Sequence, residues 1–322
     1  MLTIEPTGQG LGARVTELDL AQPLSPADFA AVLAGIARHG VLCFPDQHLD
    51  PSEQAAFSRR FGTLEVHVSG AFQVPGQPEV MILSNMTADG KPVGLPDAGQ
   101  DWHTDMSFSR TIAFLNVNYI LTVPQRNGVA LGDTLFGDMA AAYDALPASV
   151  QDRLAGRTAT HDFAKFWDTM RARAGAGSVR APLTEAQRQA KPPVSHPLVL
   201  VHPLSGRKVL YANPGYTVRI DGLPTAESDE LLAFLFDHQT RPEFCYAHQW
   251  TGNDLLVWDN IRTIHNAVAD YGPDEHRYMR RCQAMADRVF DPGWAGLCEG
   301  SMADAAGNPA ACLCLPSAED PA

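Results

Sequence analysis

The residues best suited to chemistry are His103 and Asp105, set as H-x-D within Asp101-Trp102-His103-Thr104-Asp105-Met106-Ser107-Phe108. In an extended segment, residues i and i+2 project to the same side of the chain. An imidazole and a carboxylate side by side can take two adjacent positions on one octahedral metal ion. A second histidine from elsewhere would complete the 2-His-1-carboxylate face that holds Fe(II) for oxygen chemistry. H-x-D alone is a cheap pattern, and His48-Leu49-Asp50 fits it too. There, Asp50-Pro51-Ser52-Glu53 reads as the start of a helix, so Asp50 is expected to cap it and His48 to lie in the preceding loop.

A second histidine stands far downstream. Leu255-Leu256-Val257-Trp258-Asp259 is an apolar strand that leads through a turn to His265. Twelve residues later comes Arg277-Tyr278-Met279-Arg280-Arg281, opening another run that reads as a strand. Period two puts Arg277, Met279 and Arg281 on one face, with Tyr278, Arg280 and Cys282 on the other. Two guanidiniums turned into a core are very costly without anions beside them. A dicarboxylate cosubstrate together with an anionic substrate would supply those anions, in the bidentate geometry that arginine suits. Pairing with protein carboxylates, or exposure to water, is the plainer alternative.

These residues need elements to hold them. Residues 11–17 read as a strand, and Ser25-Pro26-Ala27-Asp28 caps a helix to about Arg38 with Phe29, Val32, Leu33 and Ile36 on its buried face. Gly40 stops that helix before the apolar strand Val41-Leu42-Cys43-Phe44. Strands are expected at 79–84, 111–122, 197–202, 208–219, 254–261 and 277–289, with helices near 136–146, 148–155 and 225–239. The pattern favours a mainly β, double-layer barrel with flanking helices. The division expected is one domain over 1–290 and an irregular tail over 291–322. Within the domain, segment 161–195 carries Lys165, Arg171, Arg173, Arg180, Arg188 and Lys191, and reads as a lid insert over a pocket or as a solvated helical surface.

Composition narrows the function. With 45% hydrophobic and 19% charged residues among 322, the chain has the make-up of a globular protein able to bury a sizeable core. A net charge of −13 and no lysine-rich tail argue against nucleic acid or anionic membrane as main partner, and leave a small molecule. Neither a basic-then-apolar leader nor a membrane-length apolar run is present, so a cytoplasmic protein is expected. The six cysteines, Cys43, Cys245, Cys282, Cys298, Cys312 and Cys314, lack paired spacings and read as free thiols.

The motifs together resemble the taurine/2,4-dichlorophenoxyacetate dioxygenase family of Fe(II)- and 2-oxoglutarate-dependent oxygenases. The matching pieces are Trp102-His103-Thr104-Asp105, Gly132-Asp133-Thr134, Trp258-Asp259-Asn260 with His265, and Arg277 to Arg281, in the family's order over roughly residues 3–290. The resemblance implies a double-stranded β-helix (jelly roll, cupin-like) core, with iron on His103, Asp105 and His265. It implies that Arg277 and Thr134 hold the distal carboxylate of 2-oxoglutarate while O2 and that cosubstrate meet at the metal. Arg281 matches the arginine that meets an acidic substrate, His67 a substrate-contacting histidine, and Phe108 a pocket-wall aromatic. Trp102, Met106, Phe163 and Trp167 are further candidates for an apolar wall. The implied reaction hydroxylates a C–H bond of a small anion (sulfonate, carboxylate, phosphonate or sulfate ester), releasing succinate and CO2, in a homo-oligomer (dimer or tetramer). Two departures point away from taurine itself: Gly99 stands where the family has an asparagine, and one extra residue separates His265 from Arg277. Two other readings compete: a cupin-like metalloenzyme that uses no 2-oxo acid, and a non-catalytic ligand-binding member of the fold.

Overall fold

Val41–Phe44 shows how the sequence builds the core, because its side chains split between two apolar layers. Leu42 and Phe44 pack with Val32, Leu33 and Ile36 of the Pro26–His39 helix and Phe57 of the Pro51–Ser58 helix. Val41 and Cys43 face the other way, toward Phe136, Tyr246, Trp250 and Trp258. The neighbouring strand Leu255–Asp259 divides likewise, with Leu255 and Val257 toward the helices and Leu256 and Trp258 inward. Strict alternation in a strand buried on both faces produces two cores from one sequence.

The computed structural model describes residues 2–67, 70–175, 178 and 180–297. An eight-stranded sheet runs in the order Thr3–Gln9, Leu11–Thr16, Val41–Phe44, Leu255–Asp259, Ala113–Thr122, Tyr278–Met285, Gln77–Ser84, Gln73–Val74. All of its pairings are antiparallel except Leu11–Thr16 with Val41–Phe44. Facing it is a three-stranded antiparallel sheet, Cys245–His248, Thr134–Asp138, Thr263–Ala267. The mainly β, jelly-roll class with flanking helices is therefore as expected, but the sheets do not close into a barrel. No strand pairing joins the two sheets among the described residues, and the loop that carries His103 attaches to the smaller one through an isolated bridge with His265. No described helix is long and apolar enough to cross a membrane.

Several elements depart from expectation, each for a local reason. The segment read as helix from 136 is a strand through Asp138, whose carboxylate then caps the Met139–Asp144 helix by accepting from the Ala140 and Ala141 N–H groups. Only Gly137-Asp138 separates Leu135-Phe136 from Met139-Ala140, a break short enough for the apolar residues on both sides to read as one helical run. The strand expected at 208–219 is broken into Lys208–Leu210 and Thr217–Ile220 by a turn at Asn213-Pro214-Gly215, where Asn213 Oδ1 accepts from the Tyr216 N–H. The tail does not become irregular at once: Asp291 caps a short Pro292–Ala295 helix, and Trp294 packs edge-on against Phe29 and Phe114. Cys298, Cys312 and Cys314 lie outside the described residues, while Cys43, Cys245 and Cys282 are free thiols.

Segment 161–195 is an excursion between two strands that pair with each other, Thr158–His161 and Val194–Pro197. Its first helix, Phe163–Ala174, is not a solvated surface throughout: Phe166 and Met170 are buried against Phe108, Met106 and Tyr216. That helix lies over the functional site.

Candidate active site

His265 sits in the Thr263–Ala267 strand, with Phe136 as its cross-strand neighbour. Its N–H donates to the His103 carbonyl at 2.7 Å, and the His103 N–H returns the bond to the His265 carbonyl at 3.0 Å. Backbone pairing thus places the two imidazoles together, with ring centroids 4.2 Å apart, although 162 positions separate them in sequence. Asp105 is not in a strand, contrary to expectation. The chain turns there, with Met106 at φ 57°, and the Thr104 hydroxyl fixes the turn by donating to the Asn260 carbonyl at 2.6 Å. The turn still delivers the carboxylate: Asp105 Oδ1 lies 3.5 Å from His103 Nε2, and Oδ2 lies 3.8 Å from His265 Nε2. By contrast, Asp50 caps the Pro51–Ser58 helix in a full capping box with Glu53, and His48 is exposed.

The protonation states suit a metal. His103 Nδ1 is 2.7 Å from the Asp101 carbonyl, so its N–H points there and the lone pair of Nε2 faces Asp105. Burial alone would raise the Asp105 carboxyl, but the His103 ring beside it and the Arg281 charge hold it well below the usual carboxylate range. Burial, and then His103 beside it, push His265 well below its ordinary value. An ionised carboxylate and neutral imidazole are the forms in which these groups ligate. The Asn116 side-chain N–H donates to Asp105 Oδ2 at 2.5 Å and orients it. The donor set, two imidazoles and one carboxylate converging within 4.8 Å, fits a divalent ion such as Fe(II).

Two cavities meet at this centre. The first is lined by His265, Thr134, Arg277, Asn118, Trp258 and Tyr271; the second by His103, Asp105, His67, Phe108, Phe163, Phe166, Trp167, Tyr216 and Arg180. Gly99, Leu95, Ala98 and Arg281 line both. Arg277, Met279 and Arg281 do share the inward face, whereas Arg280 points the other way, onto the Leu49 carbonyl and the Tyr119 ring.

Arg277 is held by its backbone, which donates to Asn85 and accepts from Ser84, so the guanidinium is aimed without being used. Among the described residues its one side-chain hydrogen bond is a long 3.5 Å contact from Nη1 to Tyr271 Oη, and Nε is buried with no partner. Trp258 Nε1 and Asn118 Oδ1 in the same cavity are also buried without partners among the described residues. Thr134 accepts from Trp250 Nε1 at 3.0 Å, which leaves its own O–H available to a ligand.

Arg281 lies 3.8 Å from Asp105 Oδ2, and its Nη2 reaches the Met81 thioether at 3.3 Å. His67 faces Arg281, Arg180 and Lys191; burial and then those charges push it down to about 4, so it is neutral at pH 7. Phe108 stacks with Phe163 and Tyr216 in the wall of the second cavity. Met106 and Trp167 join that wall, but Trp102 does not and packs instead on the main core.

Several residues of the site were not singled out by sequence. Asn116 had a readable signal: with Asn118 it places two amides at i and i+2 on one face of an otherwise apolar strand. Gly215 had none. A Cβ there would lie 2.7 Å from His103 Cβ and 3.0 Å from the Phe166 ring, so only glycine permits that approach. Tyr216 and Phe166 take their places from that turn and from the covering helix.

Comparison with known proteins agrees with this geometry. A profile of the taurine catabolism dioxygenase TauD, TfdA family matches residues 3–283. The alpha-ketoglutarate-dependent 2,4-dichlorophenoxyacetate dioxygenase of Cupriavidus pinatubonensis is 36% identical over 291 residues, covering 86% of this chain and 95% of that one. Among solved structures, a taurine dioxygenase from Burkholderia xenovorans superposes with a TM-score of 0.71 at 28% identity, over 89% of this chain and 90% of that one. AAD-2, crystallised with Mn(II) and N-oxalylglycine, gives 0.72 at 28% identity, over 88% and 97%. With its profile match spanning nearly the whole described chain, the protein belongs to the taurine catabolism dioxygenase TauD, TfdA family.

Proposed function

We propose that the protein is an Fe(II)- and 2-oxoglutarate-dependent dioxygenase that hydroxylates a C–H bond of a small organic acid. The observation that carries this reading is Arg277, a buried guanidinium with no carboxylate partner among the described residues, opening on the same cavity as His265. A cupin-like metalloenzyme without a 2-oxo acid has no use for that cation, and a non-catalytic member has no use for three intact metal donors.

His103, Asp105 and His265 would hold the iron. Bound there, Fe(II) supplies the oxidative chemistry: 2-oxoglutarate and O2 give succinate and CO2, and the second oxygen atom enters the substrate C–H bond. The residues supply position and polarity. Arg277, with the Thr134 hydroxyl, would take the distal carboxylate of 2-oxoglutarate and so fix which end of the cosubstrate faces the metal. Asn116 keeps Asp105 in its ligating orientation. The Phe163–Ala174 helix roofs the second cavity and keeps water away from the reacting carbon.

The second cavity favours an acid with an aromatic or apolar body. Phe108, Phe163, Phe166, Trp167 and Tyr216 supply the wall, and Arg281 the anion contact. Arg180 is committed elsewhere, in two 2.9 Å bonds to Asp97. The phenoxyacetate specificity in the name of the Cupriavidus relative fits such a pocket. The test is succinate release with Fe(II) and 2-oxoglutarate across aryloxyacetates, alkyl sulfonates, alkyl phosphonates and alkyl sulfate esters. Aryloxyacetates should be turned over best. No 2-oxoglutarate-dependent O2 uptake with any of them would return the reading to the metalloenzyme without a 2-oxo acid.

A further inference from the structure

We propose that Cys43, His248 and Asp254 form a second metal site, of zinc type, on the far side of Thr134 from the first. Each comes from a different stretch of chain. Cys43 lies in Val41–Phe44 of the large sheet, Asp254 precedes its neighbour Leu255–Asp259, and His248 ends Cys245–His248 in the small sheet. Their donor atoms lie within 4.8 Å of one another, and all three residues are at least nine-tenths buried. Zinc takes thiolate, imidazole and carboxylate donors, and around a tetrahedral ion these stand roughly 3.3–3.8 Å apart. A thiolate in the set separates this cluster from the oxygen- and nitrogen-only centre at His103, Asp105 and His265.

His248 carries the argument further. Its Nδ1 is 3.2 Å from Tyr246 Oη, the kind of outer contact that fixes an imidazole tautomer in metal sites. Its Nε2 is buried with no hydrogen-bond partner among the described residues and faces Asp254 Oδ2 at 3.7 Å, too long for a hydrogen bond. An atom of this kind, aimed into a cluster of donors, is accounted for by an ion between them. Burial pushes the Cys43 thiol up, so metal entry would release its proton. The ion would tie the two sheets together. His248 stacks edge-on against Trp250 at 4.8 Å, and Trp250 donates to Thr134, so the tie ends at the wall of the first cavity.

The test is Co(II) titration of the full chain. A thiolate-to-cobalt charge-transfer band should appear in the near ultraviolet, which a His–Asp–His centre cannot produce, and one equivalent of Zn(II) should displace it. The band should survive His103→Ala, and also joint replacement of Cys298, Cys312 and Cys314 by serine. Cys43→Ser should abolish it. Should that variant fail to fold, His248→Gln keeps the thiol and should weaken cobalt binding at least tenfold. No band in the native protein, its persistence in Cys43→Ser, or unchanged affinity in His248→Gln would overturn the proposal.

Discussion

Two kinds of buried arginine sit within this one fold. Arg262 is saturated by protein: it makes two bonds to the Asp138 carboxylate, at 2.6 and 3.2 Å, and two more to the Ala37 and Arg38 carbonyls. Arg180 is likewise bidentate on Asp97 and lies over the Trp167 ring. Arg277 and Arg281 are buried or nearly so, yet receive a tyrosine hydroxyl, a thioether and a carboxylate 3.8 Å away. A charge taken out of water without a close counter-charge is costly, so the fold carries Arg277 at the expense of its own stability, while Arg281 has only the loose contact to Asp105. The first pair is bonded tightly within the protein, and the second is the pair that the proposed function assigns to ligands. The difference lies in the partner, because burial is similar in both.

The comparison is broken most directly through Arg262. Its replacement by alanine leaves Asp138 buried without a counter-charge, and should cost about 3–5 kcal/mol of stability. A denaturant titration reads this, and the folded remainder should keep its half-saturating 2-oxoglutarate concentration. Arg277→Ala should do the reverse. Truncating a buried charge contact to a ligand costs about 2–5 kcal/mol, so half-saturation by 2-oxoglutarate should rise roughly 30- to several-thousand-fold. Its unfolding midpoint should hold or improve; a stability loss like that of Arg262→Ala, without the change in half-saturation, would erase the distinction.

Arg281→Ala should act on the organic substrate instead. A charged hydrogen bond is worth about 1.5–3 kcal/mol, so substrate half-saturation should rise roughly tenfold to a hundredfold with 2-oxoglutarate little changed. Equal effects of the two substitutions on both ligands would reject the division of labour. The smallest effect concerns His67, which Arg281 helps to hold down at about 4. Its folded value lies below the ordinary histidine value, about 6.5, so the unfolded chain takes up a proton that the folded one refuses. Its contribution to stability is therefore full above that value and is lost as pH falls toward 4. In Arg281→Ala the His67 ring, followed by NMR, should titrate higher than in the native protein, though burial should still keep it below 6.5. An unmoved titration would mean that Arg281 does not face it.

Much of the site could be read from residue types at short spacing. The alternation of Arg277, Met279 and Arg281 against Arg280 predicts the observed faces because a strand has a fixed period. The pair Asp50 and Glu53 identified the second H-x-D as a helix cap, since capping is a local interaction. Other features were not legible. Asp105 joins the two histidines from a turn rather than a strand, and the H-x-D spacing is the same for both. The Thr134–Asp138 strand was hidden because only Gly137-Asp138 separates Leu135-Phe136 from the apolar residues of the following helix.

By itself the sequence determined the donor types, the order of the motifs and the alternation that sorts each strand into two layers. These depend on covalent spacing and on the two periodicities of regular structure. Only the tertiary structure decided that His103 would reach His265, through one pair of reciprocal backbone bonds. Only it decided which buried arginines would find carboxylates. It also set Gly215 against His103, an approach that no spacing rule contains. Such pairings are made between segments remote in the chain, and their energies exist only once the sheets have packed.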